Sequence, residues 1–129
     1  KDTYFVGHSV GCQTIMRYLK TLLEKTRIGG AVFVAPWYNL RNFESKKEEE
    51  IAGPWIKEPR GDKKIRKIIN KVIAIFSDND PFVGEENQKS CKNFLGAKII
   101  VEHKKGHFSG SDGIKKLPSA LESILELAK

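Results

Sequence analysis

The feature that most limits what this chain can become is one passage near its start. Thr3-Tyr4-Phe5-Val6 runs into Gly7-His8-Ser9-Val10-Gly11, and beyond it Cys12, Ile15, Met16, Leu19, Leu22 and Leu23 recur at helical spacing. The first run predicts a buried strand, and the 3.6-residue recurrence predicts a helix over Val10 to Lys25. Only the motif separates the two, so the backbone must turn sharply at Ser9. Gly7 and Gly11 are expected to leave room for strand and helix to approach closely. A strand that feeds straight into a helix opens a β-α-β unit, and such units build parallel sheets.

The remaining sequence repeats the alternation. Ala31 to Ala35, Val72 to Phe76 and Lys98 to Val101 read as further strands, apolar on both faces. Lys63 to Asn70, Glu85 to Leu95 and Leu117 to Ala128 read as helices, with Gly96 stopping the second and Pro118 seated in the first turn of the third. Trp37 to Pro59 mixes both tryptophans, a charged run and two prolines, which predicts loops with a short helix. The expected fold is α/β: one domain over residues 1–129, four parallel strands covered by helices on both faces. Lys1 opens directly onto the first strand. Because nascent Met is normally removed only before small residues, sequence upstream of Lys1 is expected, and any signal peptide would lie there.

The turn at Ser9 also fits G-x-S-x-G, which places a serine hydroxyl at the carboxyl edge of the sheet and the Val10 amide at a helix N-terminus, facing a developing oxyanion. A serine nucleophile needs a base. Of the three histidines, His8 adjoins Ser9 but points away across a sharp turn, and His103 stands among lysines. His107, in Gly106-His107-Phe108, follows the fourth strand at the edge where Ser9 sits. The acid that orients it is expected in Ser77-Asp78-Asn79-Asp80-Pro81, after the third strand. Asp78 is a candidate, but Asp80 is preferred because Pro81 stiffens it and it reaches farther over the edge. The order Ser9, Asp80, His107 is that of α/β-hydrolases. His103 and His107 stand four apart, yet Gly106 argues for a loop and no Cys or carboxylate cluster completes a metal site, so no metal is expected.

Composition narrows the partners. The net charge of +7 invites a nucleic-acid reading, but the lysines are scattered and interleaved with Glu48-Glu49-Glu50, without an aromatic-basic signature, so no nucleic-acid partner is expected. No apolar run approaches the roughly 20 residues of a membrane span. Two cysteines on apolar helix faces do not form a secreted disulfide framework, which makes a cytoplasmic home the expectation.

With these motifs in hand, the chain resembles the small serine hydrolases related to retinoblastoma-binding protein 9. The likeness runs from Thr3 to the C-terminus and rests on Gly-His-Ser-Val-Gly, Ser-Asp-Asn-Asp-Pro-Phe-Val and Gly-His-Phe, with Val34-Ala35-Pro36-Trp37 and Pro54-Trp55. It implies an α/β-hydrolase fold and a hydrolase of carboxylic esters or related acyl bonds, acting through Ser9, Asp80 and His107 without a cofactor. It also implies that a second oxyanion donor belongs to a stretch before the elbow. Gly84 stands where relatives often have proline. Some relatives are discussed as retinoblastoma-protein binders through L-x-C-x-E, a motif this sequence does not contain.

Trp37, Trp55 and Phe82 are candidate walls of an acyl pocket. A strand left without its upstream neighbour would expose an open sheet edge, so self-association is a further expectation. The competing class is a non-enzymatic interaction module keeping a vestigial triad. The sequence leaves open the substrate and the choice among esterase, peptidase and thioesterase.

Overall fold

The computed structural model describes residues 2–57 and 61–129. Its elements are β1 (Tyr4–His8), α1 (Val10–Lys20), β2 (Gly30–Val34), α2 (Lys46–Lys57), α3 (Asp62–Ile68), β3 (Val72–Ser77), α4 (Glu86–Leu95), β4 (Lys98–Glu102), a 3₁₀ turn (Gly110–Asp112) and α5 (Pro118–Leu127). The four strands form one sheet in the order β1-β2-β3-β4, every pair parallel. Their carboxyl ends therefore share one edge, and the loops that follow β1, β2, β3 and β4 meet there.

The register fixes which face each helix covers. Phe5 of β1 packs its ring on Tyr18 of α1, and Gly7, two residues on, lies against Ile15 of the same helix. Tyr4 is in register with Gly30, whose α-carbon faces Leu127 of α5. One face of the sheet thus carries α1, with α3 packed on α1 and α4 on α3; α5 covers β2 and β3 on the other. Covered on both sides, β2 and β3 are buried along their whole length. Phe33 and Phe76 are among the largest side chains wholly inside, each contributing about 2–3 kcal/mol of apolar burial. Among the described residues β1 pairs with β2 alone and β4 with β3 alone, so both are edge strands and only partly buried.

Element types follow the sequence pattern, with three differences. The first helix ends at Lys20 rather than Lys25, because the Thr21 hydroxyl bonds back to the Tyr18 carbonyl at 2.7 Å and closes the turn. The segment from Trp37 holds a longer helix than expected: α2 has 12 residues and accommodates Pro54 inside it. Pro59, the far end of that segment, lies outside the described residues, as does Lys1. The third difference concerns glycine. A Cβ on Gly7 would meet the backbone of Cys12 at 3.0 Å and of Gly11 at 3.1 Å, as the close-approach argument requires, but a Cβ on Gly11 would meet nothing within 4 Å. Gly7 alone makes room for α1. Gly96, at φ 65° past the end of α4, is the left-handed stop its position predicts.

Candidate active site

Ser9 occupies the one-residue junction between β1 and α1 with φ 54° and ψ −117°. This is backbone that an L-residue rarely adopts, at a cost on the order of 1–3 kcal/mol. The strain is held from both sides: the Ser9 amide donates to the Val34 carbonyl at 2.9 Å, and the Ser9 carbonyl accepts the Cys12 amide at 3.0 Å. The next amide, of Val10, belongs to the first residue of α1 and so to the donors that no helical carbonyl satisfies.

The loops after β3 and β4 bring two side chains to this serine. His107 Nε2 lies 2.9 Å from Ser9 Oγ, and His107 Nδ1 lies 2.8 Å from Asp80 Oδ2. The other Asp80 oxygen accepts the amides of Phe82 at 2.9 Å and Val83 at 3.1 Å, which fixes the carboxylate although it is only 5% exposed. With Nδ1–H donated to Asp80, Nε2 is the acceptor for the serine hydroxyl. Asp78 takes a different partner. Its carboxylate meets His103 Nδ1 at 2.6 Å and the Lys104 amide at 2.8 Å, and those bonds hold its pKa below the usual carboxylate value, the Lys104 amide contributing most.

The backbone that carries His107 is held one amide at a time. Lys104 N donates to Asp78, Lys105 N to Ser77 Oγ at 2.9 Å, Gly106 N to Asn79 Oδ1 at 2.7 Å, and His107 N to Asp112 Oδ2 at 3.0 Å. Asp112 also receives the Ser109 hydroxyl at 2.6 Å and the Ser109 amide, and these bonds, the hydroxyl first, lower its pKa. Gly106 permits this with φ 57°, since a Cβ there would overlap the Asp112 carboxylate. His8, although its neighbour Ser9 turns away, reaches round to bond the His107 carbonyl through Nε2 at 2.7 Å. The Phe82 ring stands edge-on to the His107 imidazole, centroids 5.4 Å apart.

A cleft of about 180 Å³ opens beside Ser9 and His107, lined also by Leu40, Arg41, Phe43, Glu48 and Phe82. Of the three aromatic residues expected as pocket walls, Phe82 lines it. Trp37 does not: it is 2% exposed, and its indole nitrogen lies 3.2 Å from Ser9 Oγ. Trp55 is farther off, its ring under the Arg17 guanidinium at 4.8 Å and its carbonyl accepting Arg17 Nη2 at 2.9 Å. Sequence reasoning missed Arg41, Glu48, Leu40 and Phe43, which sit in a segment without periodicity, and it missed Asp112 and the Trp37 donor. Asn79 was in view within the Asp80 motif, but nothing local marked its amide as a clamp. Among the described residues no group of three or more His, Cys, Asp or Glu is placed to hold a metal ion, and no helix is long and apolar enough to cross a membrane.

Comparison with known proteins gives a family and a fold. The family model described as "Serine hydrolase" matches residues 1–126. A Bacillus subtilis protein named "Putative hydrolase YdeN" is 25% identical over 118 residues, which cover 92% of this chain and 60% of that one. The crystal structure of the B. subtilis ydeN gene product superposes with a TM-score of 0.83 at 23% identity, over 97% of this chain and 64% of its own. That of a "putative yden-like hydrolase" from Pectobacterium atrosepticum gives 0.64 at 16% identity, over 99% and 60%. The chain therefore spans less than two thirds of the length of these relatives, and its parallel sheet with flanking helices is the α/β-hydrolase type of fold.

Proposed function

This chain belongs to the serine hydrolase family, and from that premise we propose that it hydrolyses a carboxylic ester or related acyl bond with Ser9 as nucleophile, His107 as base and Asp80 as the acid that orients it. The observation that carries this reading is the continuous path from Ser9 Oγ through the imidazole to a buried carboxylate, 2.9 and 2.8 Å at its two junctions. The lengths fall within the range of a working nucleophile–base pair.

In the proposed reaction Ser9 Oγ bonds to the acyl carbon while its proton passes to His107 Nε2 and the carbonyl electron pair moves onto oxygen. The Val10 amide, at the N-terminus of α1, takes a share of that oxyanion. Collapse breaks the bond to the leaving group, which departs with the proton from His107. Water then enters, gives its proton to the same nitrogen, and releases the acid from Ser9. Asp80 holds the Nδ1–H tautomer and balances the imidazolium charge; it stays ionised throughout. No step calls for a cofactor. The strained backbone at Ser9 supports the reading, because strain of this kind persists where a hydroxyl must be presented.

The cleft favours a small acyl group against Leu40, Phe43 and Phe82, which makes a carboxylesterase with short-chain preference the reading we favour over peptidase or thioesterase. The finer kinship, to the retinoblastoma-binding protein 9 group, rests on the three motifs. A cytoplasmic location and small-molecule partners, rather than nucleic acid or membrane, belong to the same proposal; the two buried free cysteines are consistent with it. Fluorophosphonate labelling tests the reaction. Wild type should label, Ser9→Ala should not, and His107→Ala should slow labelling by orders of magnitude. Labelling that survives Ser9→Ala removes the proposal. Nitrophenyl esters of graded chain length then measure the acyl preference.

A further inference from the structure

The Trp37 indole is buried, and a buried indole N–H needs an acceptor. The acceptor it has is Ser9 Oγ, at 3.2 Å. An indole nitrogen can only donate. The hydroxyl oxygen therefore receives Trp37 on one lone pair, and its own proton is left to point along the 2.9 Å contact to His107 Nε2. One oxygen is thus set between a fixed donor and a fixed acceptor.

The backbone that carries the donor is held by groups other than Ser9. Ala35, with φ 49°, turns the chain out of β2, and the Trp37 carbonyl then accepts the side-chain amide of Gln13, which is wholly buried on α1. Gln13 is held in turn by Arg17 Nη1 at 2.7 Å, and Arg17 by the Trp55 carbonyl. On the other side, the amides of Tyr38 and Asn39 both donate to the buried Asn87 carbonyl oxygen, at 2.7 and 3.1 Å. The backbone at Trp37 is thus held by Gln13 of α1 and, through Tyr38 and Asn39, by Asn87 of α4, and a donor on a held backbone is preorganised to stabilise charge without first reorienting.

From this geometry we infer that Trp37 is a catalytic residue, its indole N–H stabilising the charge that develops on Ser9 Oγ. The inference rests on Ser9 being the nucleophile. As the Oγ proton moves to His107 and the bond to the acyl carbon is still forming, Oγ carries more negative charge than in the resting hydroxyl. The N–H···O bond then gains charge-assisted character. In the second step, Oγ leaves the acyl carbon as the proton returns from His107, and the same donor serves the reverse displacement. Because the bond is stronger in the transition state than in the ground state, it accelerates the chemistry and leaves ground-state binding unchanged.

Two measurements test it. Trp37→Phe keeps a ring in the core and deletes the donor. Its first-order inactivation constant with a fluorophosphonate, in which the P–F bond breaks as P–Oγ forms, should fall roughly 3- to 10-fold with the reagent's half-saturation unchanged. The second measurement needs no activity and no change at Trp37. In a ¹H–¹⁵N spectrum, Ser9→Ala should move the Trp37 indole resonance upfield and hasten its exchange, leaving that of Trp55 in place. A Trp37 resonance that ignores Ser9→Ala overturns the inference, even if Trp37→Phe fails to fold. So does a Trp37→Phe variant that folds and labels at the wild-type rate, in which case loss of labelling in Ser9→Ala leaves the proposed function standing. Labelling that persists in Ser9→Ala removes both.

Discussion

Adding one methyl group at either glycine of the Ser9 motif should have opposite effects on stability. In Gly7→Ala the new Cβ lies 2.7 Å from Ile15 Cδ1, 3.0 Å from Cys12 N and 3.1 Å from Gly11 C. The isoleucine methyl can rotate aside; the two backbone atoms cannot. The first turn of α1 must withdraw by about 0.3–0.4 Å to reach ordinary contact, an overpacking that costs roughly 1–3 kcal/mol. Gly7 is not at positive φ, so alanine also recovers about 0.4–1 kcal/mol by restricting the unfolded chain. The net expectation is a loss of about 1–2 kcal/mol. Gly11, inside α1 with nothing within 4 Å of its added Cβ, should gain about 0.5–1 kcal/mol on becoming alanine. Urea unfolding followed by circular dichroism would separate the two variants by about 1.5–3 kcal/mol. The withdrawal in Gly7→Ala also displaces Ser9 relative to His107, so its fluorophosphonate labelling should slow roughly tenfold, while Gly11→Ala labels as wild type does. Equal stabilities, or a Gly11→Ala variant less stable than Gly7→Ala, would refute the argument.

Three more outcomes are expected. Asp80→Asn keeps the packing but presents an amide N–H to His107 Nδ1, favouring the wrong tautomer; labelling should fall about 10³–10⁴-fold with little change in thermal midpoint. Asp112→Asn should destabilise the chain at neutral pH, since the native carboxylate form is favoured by the Ser109 and His107 bonds. That stabilisation is present above the ordinary value of 3.8 and is lost as pH falls through the lower native value, so the gap between wild type and variant should close below 3.8; urea unfolding from pH 7 to 3 measures it. The proposed self-association through the edge of β1, where Val6 is 56% exposed, should appear as concentration-dependent sedimentation, and Val6→Lys should abolish it if the edge is the contact.

What could be read from the sequence was whatever is encoded locally. Periodicity marked four strands and the helices between them. The glycines and Ser9 marked the sharp turn. Chain order placed Asp80 and His107 on loops that a parallel sheet must bring to one edge. The left-handed stop at Gly96 was likewise a matter of one residue's backbone freedom. Pairing across that edge was not encoded locally. Two aspartates, 78 and 80, and two histidines, 103 and 107, leave the same two loops, and the structure matches them as Asp78 with His103 and Asp80 with His107. The matching depends on β3 and β4 being in register from Ile73 with Lys98 to Ser77 with Glu102, which sets the two loops level. The sequence points to only a short helix after Trp37, because α2 buries none of its residues and packs just Trp55 and Ile56 against the core, too little to leave an apolar stripe. Trp37 looked like a pocket wall because aromatic size is visible in a sequence, whereas the direction of an indole N–H is not. The backbone that carries the indole is placed by Gln13, Asn87 and the turn at Ala35, side chains and backbone that only the assembled sheet brings together. Periodicity is a property of neighbours along the chain, and so the sequence discloses it. A hydrogen bond between residues 98 positions apart, such as the one joining His107 to Ser9, exists only once strand order has closed that distance.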